Sequence, residues 1–566
     1  MLLAGATLML AVAGGWLVAG SPNLMAQAFD RLFGEVPSSL AMQGDPSGVQ
    51  TVQVRVDLRA VGRPISPYIY GVAGADLDVL RELGATTNRW GGNPSSRYNW
   101  ANGHAWNAGR DWEFRNVNYL GSEASAADLF VTEALSVGAL PVLTVPMIGW
   151  VARNDRTDVR SQGVPAHGGA AIQAGSGAIA GYDPASNRQL TSVASLPRKP
   201  VPMVDRPDAA STVVYQDEWI HHLVMQNATQ PSAVSFLAMD NEPDLWSETH
   251  ADVHPVRMGY EDMFQTFEAY ASAAKDQAPS ARVLGPDVSG WTSYWYSALD
   301  RGTDNFATHA DRRAHGDQPF LAWWLARVAK SDKATGRRSL DLLDVHFYPQ
   351  ASGVDSQAHD PATQALRIRS TRSLYDPGYV DESWIDEPVM LIPRLKGWIA
   401  QNYPGTGLAI TEYRWGGEGD ASGAVALAQV LGIFGREGVD VANYWTFPKP
   451  NSPAGAAFRL YGNFDGRGAR FGDISLPASS SRSNVSAFAA RNSKTGAIDL
   501  MLINGSLLNE AVTTLDVNVA NPATKLYQVL GGSSDIVERD LSSLRAPLSL
   551  PPGSLTLVHI VPQAQS

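Results

Sequence analysis

Eight times between residues 65 and 447, an apolar strand-like run is followed by polar loop or amphipathic helix, and no other feature limits the fold as tightly. The strand candidates cover residues 65–72, 86–92, 140–148, 234–243, 282–290, 340–349, 408–415 and 439–447. Stretches with apolar residues at three-to-four spacing separate most of them, at 76–83, 126–137, 217–225, 260–275, 320–330, 391–401 and 424–436. This order predicts an α/β chain whose residues 65–471 close into a (β/α)8 TIM-like barrel. In such a barrel, side chains fill the interior, and polar residues at the C-terminal ends of the strands face the substrate.

The fourth candidate runs VSFLAMDNEPDLW, an apolar strand entering a polar knot at Asp240, Asn241, Glu242 and Pro243. Read alone, a Glu before Pro at a strand end is as readily the first turn of a loop. The seventh candidate, LAITEYRW, changes the balance by running into Glu412 with aromatics on both sides. Two carboxylates at strand ends are what glycoside hydrolysis requires: one protonates the leaving oxygen and the other attacks or activates water.

Other strand ends add Arg89 and Trp90, Trp150, Trp291, His346 and Tyr348, and Trp445. Flat aromatic rings stack on sugar faces, although any single Trp is more often core, so Trp90, Trp150 and Trp445 stand as substrate-binding candidates beside that plainer reading. Asn241, next to Glu242, suits a hydrogen bond to the sugar 2-hydroxyl, which strengthens in the transition state. Arg89 and Tyr348 suit a role in holding Glu412 ionised. Arg89 equally suits a structural ion pair, and His346 either a ligand contact or a satisfied core histidine.

A net charge of -12 argues against nucleic acid or an anionic membrane surface as the partner, and leaves a neutral polysaccharide as a suitable one. With no cysteine, neither a disulfide framework nor a thiolate site is available. Residues 1–20 carry no charge, and AQA at 26–28 resembles a small-residue cleavage site. Residues 1–28 therefore read as a signal peptide or a membrane anchor, and 29–50 as a linker. The protein is expected to be secreted or periplasmic, or else anchored facing outside the cytoplasm, touching a membrane only if the segment stays uncleaved.

Residues 51–58 alternate apolar and polar, so 51–64 is read as an N-terminal strand joining a C-terminal antiparallel β-sandwich over 472–566. Strands are expected there at 484–490, 497–503, 512–519, 525–530 and 554–561, with structural support the expected role. Two long loops, 154–211 and 352–387, follow the third and sixth strands on the catalytic side.

Two other classes compete with a glycosidase. A metal-dependent barrel hydrolase would draw ligands from Asp240, Glu242, His346 and Glu412, with His250, Asp252 and His254 close in sequence, although such sites usually gather more histidines. The other alternative is a non-catalytic carbohydrate-binding protein on an enzyme-like scaffold.

The motifs MDNEPDLW, TNRWGGN, VPMIGWVA, DVHFYPQ, ITEYRWG and LGIFGREGVDVANYW, in this order from TNRWGGN to the last, closely resemble glycoside hydrolase family 44 over residues 65–445. The resemblance implies a retaining, endo-acting β-1,4-glucanase, cellulase-type, acting on cellulose-like glucans or xyloglucan. By motif position it makes Glu242 the acid/base and Glu412 the nucleophile. Arg414 stands where the family pattern carries Asn, which bears on substrate preference. No cofactor is expected for catalysis. A structural calcium ion is a candidate by resemblance, with no EF-hand loop in the sequence to supply its ligands. A monomer is expected.

Overall fold

The computed structural model describes residues 48–158, 182–183, 188–204, 208–302, 304–517, 519 and 522–562. The expected signal or anchor at 1–28 and nearly all of the linker lie outside these residues. No helix among the described residues is long and apolar enough to cross a membrane.

Eight parallel strands close into a barrel: Gly71–Ala73, Thr87–Trp90, Leu140–Val145, Phe236–Met239, Arg282–Val288, Leu342–Phe347, Gly407–Tyr413 and Val441–Tyr444. They pair in chain order, and the eighth returns to the first through Asn443 opposite Gly71. The first strand is shorter than expected, because Pro67 opens a 3-10 turn at Pro67–Ile69 capped by the Ser66 side chain.

The barrel interior is layered by polarity. Its lower half is an apolar cluster of Val142, Phe236, Ala238, Leu284, Leu342, Ala409 and Val441, closed by Tyr68, whose ring stands edge-on to Phe236 at 5.2 Å. Other buried barrel positions are polar or charged, among them Asn88, Arg89, Asp287, Asp344, His346 and Glu412.

Helix Leu77–Leu83 starts on an Asp76 cap and ends on left-handed Gly84. Helix Tyr260–Gln277 and helix Phe320–Thr335 bury their apolar faces against the fifth strand, through Phe267 and Trp324 at 4.8 Å. Helix Ala421–Glu437, capped by Asp420, is buried along most of its length between the barrel and the sandwich. At Gly432 a Cβ would lie 2.4 Å from the ring of Phe488, so this contact admits no side chain.

An additional helix, Pro453–Gly462, follows the eighth strand and packs against Ala421–Glu437.

Two sheets form the sandwich. One orders Ala478–Ser480, Gln50–Val56, Ala511–Asp516 and Leu548–Leu550. The other runs from Arg63–Pro64 through Ile474–Leu476, Val485–Arg491, Ile498–Asn504, Leu555–Val561 and Ala523–Val529 to Val537–Asp540. Val52, Val54 and Val56 alternate inward onto Leu500, Leu502 and Leu550, so the N-terminal strand is part of this core. Its pairing with Ala511–Asp516 is parallel, whereas the other sandwich pairings are antiparallel.

The second long loop contains helix Pro361–Ser370, capped by Asp360. Buried Arg367 fastens it by donating to the carbonyls of Val354 and Trp415 at 3.0 and 3.1 Å and to Ser422 Oγ at 2.6 Å. From the first long loop, Ser192–Leu196 pairs with Trp150–Ala152 and Val213–Tyr215.

Candidate active site

Glu242 reaches the barrel mouth through a strained turn. The fourth strand stops at Met239, and both Asp240 and Glu242 adopt positive φ, 69° and 45°. Such conformations cost on the order of 1–3 kcal/mol each in non-glycine residues and persist only where surroundings impose them. The Asp240 carboxylate supplies one constraint by accepting from the amides of Met147, Ile148 (3.2 Å) and Asn241 (2.7 Å). A second comes from the Glu242 amide, which donates to the Asp287 carbonyl at 3.0 Å. A third is Asp244, which accepts from Ser289 N (3.1 Å), Ser289 Oγ (2.5 Å) and Ser293 Oγ (2.6 Å).

Glu412 sits beside a bulge. Pairing between the sixth and seventh strands slips between Val345–Ile410 and His346–Glu412, leaving Thr411 as the extra residue. A second slip, between Pro286 and Val288, makes Asp287 the extra residue of the fifth strand, with φ 58°.

Arg89 ties these pieces together. Fully buried, it donates to Glu412 Oε2 at 2.8 Å, Asn241 Oδ1 at 2.9 Å and Asp287 Oδ2 at 3.3 Å. Tyr348 donates to the other nucleophile-side oxygen, Glu412 Oε1, at 2.7 Å. Asn241 Oδ1 accepts a second bond from Gly92 N at 3.0 Å, so its Nδ2 is left for a ligand. A Cβ at Gly92 would lie 2.7 Å from the Trp445 ring, which itself stands 6.0 Å from the Arg89 guanidinium.

His346 completes the centre. Its Nδ1 lies 3.0 Å from Glu242 Oε1 and 3.4 Å from Glu412 Oε2, while its Nε2 abuts Asp287 Oδ1, which has no other partner. One oxygen of Glu242, one of Glu412 and a nitrogen of His346 all lie within 4.8 Å of one another.

Charge counting explains the protonation pattern. Arg89 and His346 face four carboxyls: Glu242, Asp287, Asp344 and Glu412. Burying unmatched charge is costly, so two cations support two anions and the remaining carboxyls stay neutral. Burial, reinforced by Glu412, pushes the Glu242 carboxyl up to about 7. Burial and the neighbouring Asp287 push Asp344 up to about 8. For Asp287, burial is outweighed by His346 and Arg89, which hold it below the usual carboxylate range. Burial alone would lower His346, yet Glu412 and Asp287 hold it well above its ordinary value.

Glu242, Glu412, Asn241, Arg89, His346 and Tyr348 therefore meet at one end of the barrel, with Trp445 half-buried beside them. Trp90 is half-buried and packs among aromatic rings. It follows inward-facing Arg89, so its ring turns outward onto Tyr98, Trp106 and Phe130, the last on helix Ala126–Ser136. Trp150 is half-buried on the short strand Trp150–Ala152 and has no hydrogen bond or ring contact to the glutamates among the described residues. Trp291 packs on Tyr294 and Trp295.

Of the proposed metal set, Glu242, His346 and Glu412 come together, whereas Asp240 turns to backbone amides, Asp252 pairs with Arg97 at 2.9 Å, and His254 packs on Trp246 at 5.2 Å. His346 faces carboxylates at both nitrogens, and with Arg89 it already brings positive charge to the centre.

Comparison with known proteins places this geometry among relatives. The model of glycoside hydrolase family 44 matches residues 105–351. Endoglucanase A of Paenibacillus lautus is 30% identical over 532 residues, covering 89% of this chain and 71% of the relative. Beta-mannanase/endoglucanase A of Caldicellulosiruptor saccharolyticus is 28% identical over 543 residues, covering 88% of this chain, which spans only 38% of that longer protein. Among solved structures, CelM2, a bifunctional glucanase-xylanase from a metagenome library, superposes with a TM-score of 0.77 at 35% identity over 91% of this chain and all of that one. A Paenibacillus polymyxa xyloglucanase solved with xyloglucan gives 0.79 at 29% identity, again over 91% of this chain and all of that one.

Proposed function

Because the chain belongs to glycoside hydrolase family 44, and is thus a glycoside hydrolase, we propose that it cuts internal β-1,4-glucosidic linkages by double displacement, with Glu412 as nucleophile and Glu242 as acid/base. The observation that carries this reading is the approach of the two glutamates, whose nearest oxygens lie within 4.8 Å. Retaining enzymes hold their carboxyl groups about 5 Å apart, whereas inverting ones leave a wider gap for water.

In the first step Glu412 attacks the anomeric carbon, the glycosidic C–O bond breaks, and the proton of Glu242 passes to the leaving oxygen. Glu412 becomes an ester and loses its charge. Glu242, now ionised beside His346, carries the negative charge in its stead, so the two-cation, two-anion balance is kept. In the second step Glu242 removes a proton from water, which attacks the anomeric carbon and releases Glu412. Asn241 Nδ2 is the donor for the 2-hydroxyl, and Trp445 offers a ring for stacking.

Cellulose-like glucans and xyloglucan are the proposed substrates, supported by the endoglucanase and xyloglucanase relatives. The uncharged stretch at residues 1–20 supports export. The test is proton NMR of the product anomer released from a soluble β-glucan, together with Glu412→Ala. Initial release of the β-anomer and loss of turnover in a folded variant are expected. Release of the α-anomer, or full activity in the variant, would overturn the assignment.

A further inference from the structure

Among the described residues, Asp287 is the fully buried carboxylate that touches both Arg89 and His346 and that the two-glutamate chemistry leaves without a task. Its backbone carbonyl accepts the Glu242 amide at 3.0 Å. Its carboxylate divides between Arg89, at 3.3 Å, and the Nε2 of His346. Nε2 also stands 3.2 Å from the Arg89 guanidinium, but its closer neighbour is the Asp287 carboxylate oxygen, which would repel a bare lone pair, so Nε2 carries a proton. At the opposite side of the ring, Nδ1 faces only oxygens, those of Glu242 and Glu412.

We propose that Asp287 is a positioning residue for the acid/base: it fixes His346 as a doubly protonated ring whose Nδ1–H binds Glu242 Oε1, leaving Oε2 to carry the transferred proton. The inference rests on Glu242 being the acid/base. The same residue therefore sets both the backbone turn that aims Glu242 and the charge beside its side chain. When Glu242 is ionised, after the first step, the cation next to it stabilises the carboxylate and lets it return to the proton-accepting form.

The charged groups around this ring come from every neighbouring strand. They are Arg89 from the second, Glu242 and Asp244 past the end of the fourth, Asp344 two residues back on the sixth, and Glu412 from the seventh, with the Tyr348 hydroxyl above. Nε2 itself meets the Asp287 carboxylate and the Arg89 guanidinium, the latter at 3.2 Å, so removing the Asp287 charge leaves that nitrogen beside a donor alone and the ring gives up its second proton.

The test is Asp287→Asn, assayed across pH on an activated aryl cellobioside. With the ring losing its second proton at neutral pH, the alkaline limb of kcat/KM is expected to rise by about one pH unit. At the same time kcat should fall on the order of tenfold or more, with KM falling alongside it, because base-assisted hydrolysis of the intermediate slows. A variant that had merely loosened the fold would lower kcat without moving the limb. Should the variant not fold, nitrogen-15 NMR of histidine-labelled wild-type protein decides, since His346 is expected to hold both ring protons at pH 7. A single ring proton there, or a limb that coincides with wild type, overturns the role of Asp287. If instead Glu242→Gln and Glu412→Ala keep normal turnover, it is the two-glutamate reading that fails.

Discussion

Replacing Asp344 with Asn should make the protein more stable at neutral pH, and the size of the gain follows from the protonation pattern of the barrel centre. Asp344 is fully buried, and its two oxygens meet the Thr411 hydroxyl at 3.0 and 2.9 Å, with the Thr411 amide at 3.3 Å. One hydroxyl cannot donate to both oxygens, so a protonated carboxyl, giving one bond and taking one, suits the geometry, and an amide reproduces it. Burial and Asp287 raise this carboxyl from 3.8 to about 8, so in that window the folded state holds a proton that the unfolded chain has lost. Stability is then complete below 3.8 and falls as pH climbs toward 8. At about 1.4 kcal/mol per pH unit, the loss between 3.8 and 7 is on the order of 4 kcal/mol. Asn carries no such linkage. Urea unfolding followed by tryptophan fluorescence at pH 4, 5.5 and 7 should give nearly equal stabilities at pH 4 and a widening advantage for Asp344→Asn above it. Parallel stability curves for the two proteins would refute the claim that Asp344 is buried neutral.

Two further outcomes follow from the same centre. The kcat/KM of the wild-type enzyme should fall above about pH 7 as Glu242, raised chiefly by burial, loses the proton it must donate, and Glu242→Gln should abolish that limb while hurting substrates with poor leaving groups most; a Gln variant that keeps the limb would move the acid elsewhere. Arg89→Leu should cost roughly 3–5 kcal/mol in denaturant unfolding, because Glu412 and Asp287 would stay buried without their cation, and a loss under about 1 kcal/mol would show that the pairings carry little weight.

The barrel was legible because strands buried on both faces leave continuous apolar runs, and each of the eight observed strands falls within or within one residue of a run read from the chain. Helix Pro453–Gly462 was not legible because of its composition. It opens on Pro, and Gly and Ala make up half of PAGAAFRLYG, a composition that reads as loop. Glu242, Glu412, Arg89 and Asn241 were visible as polar residues closing apolar runs. Asp287, next to last in RVLGPDV, and Asp344, inside LLDVHF, lie within their apolar runs, so the pattern does not single them out.

The reason lies in parity. A regular strand sends alternate side chains inward, and that rule correctly separates inward Arg89 from outward Trp90. It fails where a strand carries one residue too many, and this barrel has such slips at Asp287 and Thr411, on either side of the sixth strand that bears Asp344 and His346. A bulge re-aims the residues around it, and no apolar pattern records where the extra residue sits. The slips gather beside the catalytic carboxylates because closing a cylinder fixes where each strand end points, and an added residue is a local way to turn a side chain off that direction without disturbing the strand beneath. The apolar floor around Phe236 and Leu284 keeps regular register below, so the irregularity is confined to the layer where proton transfer takes place.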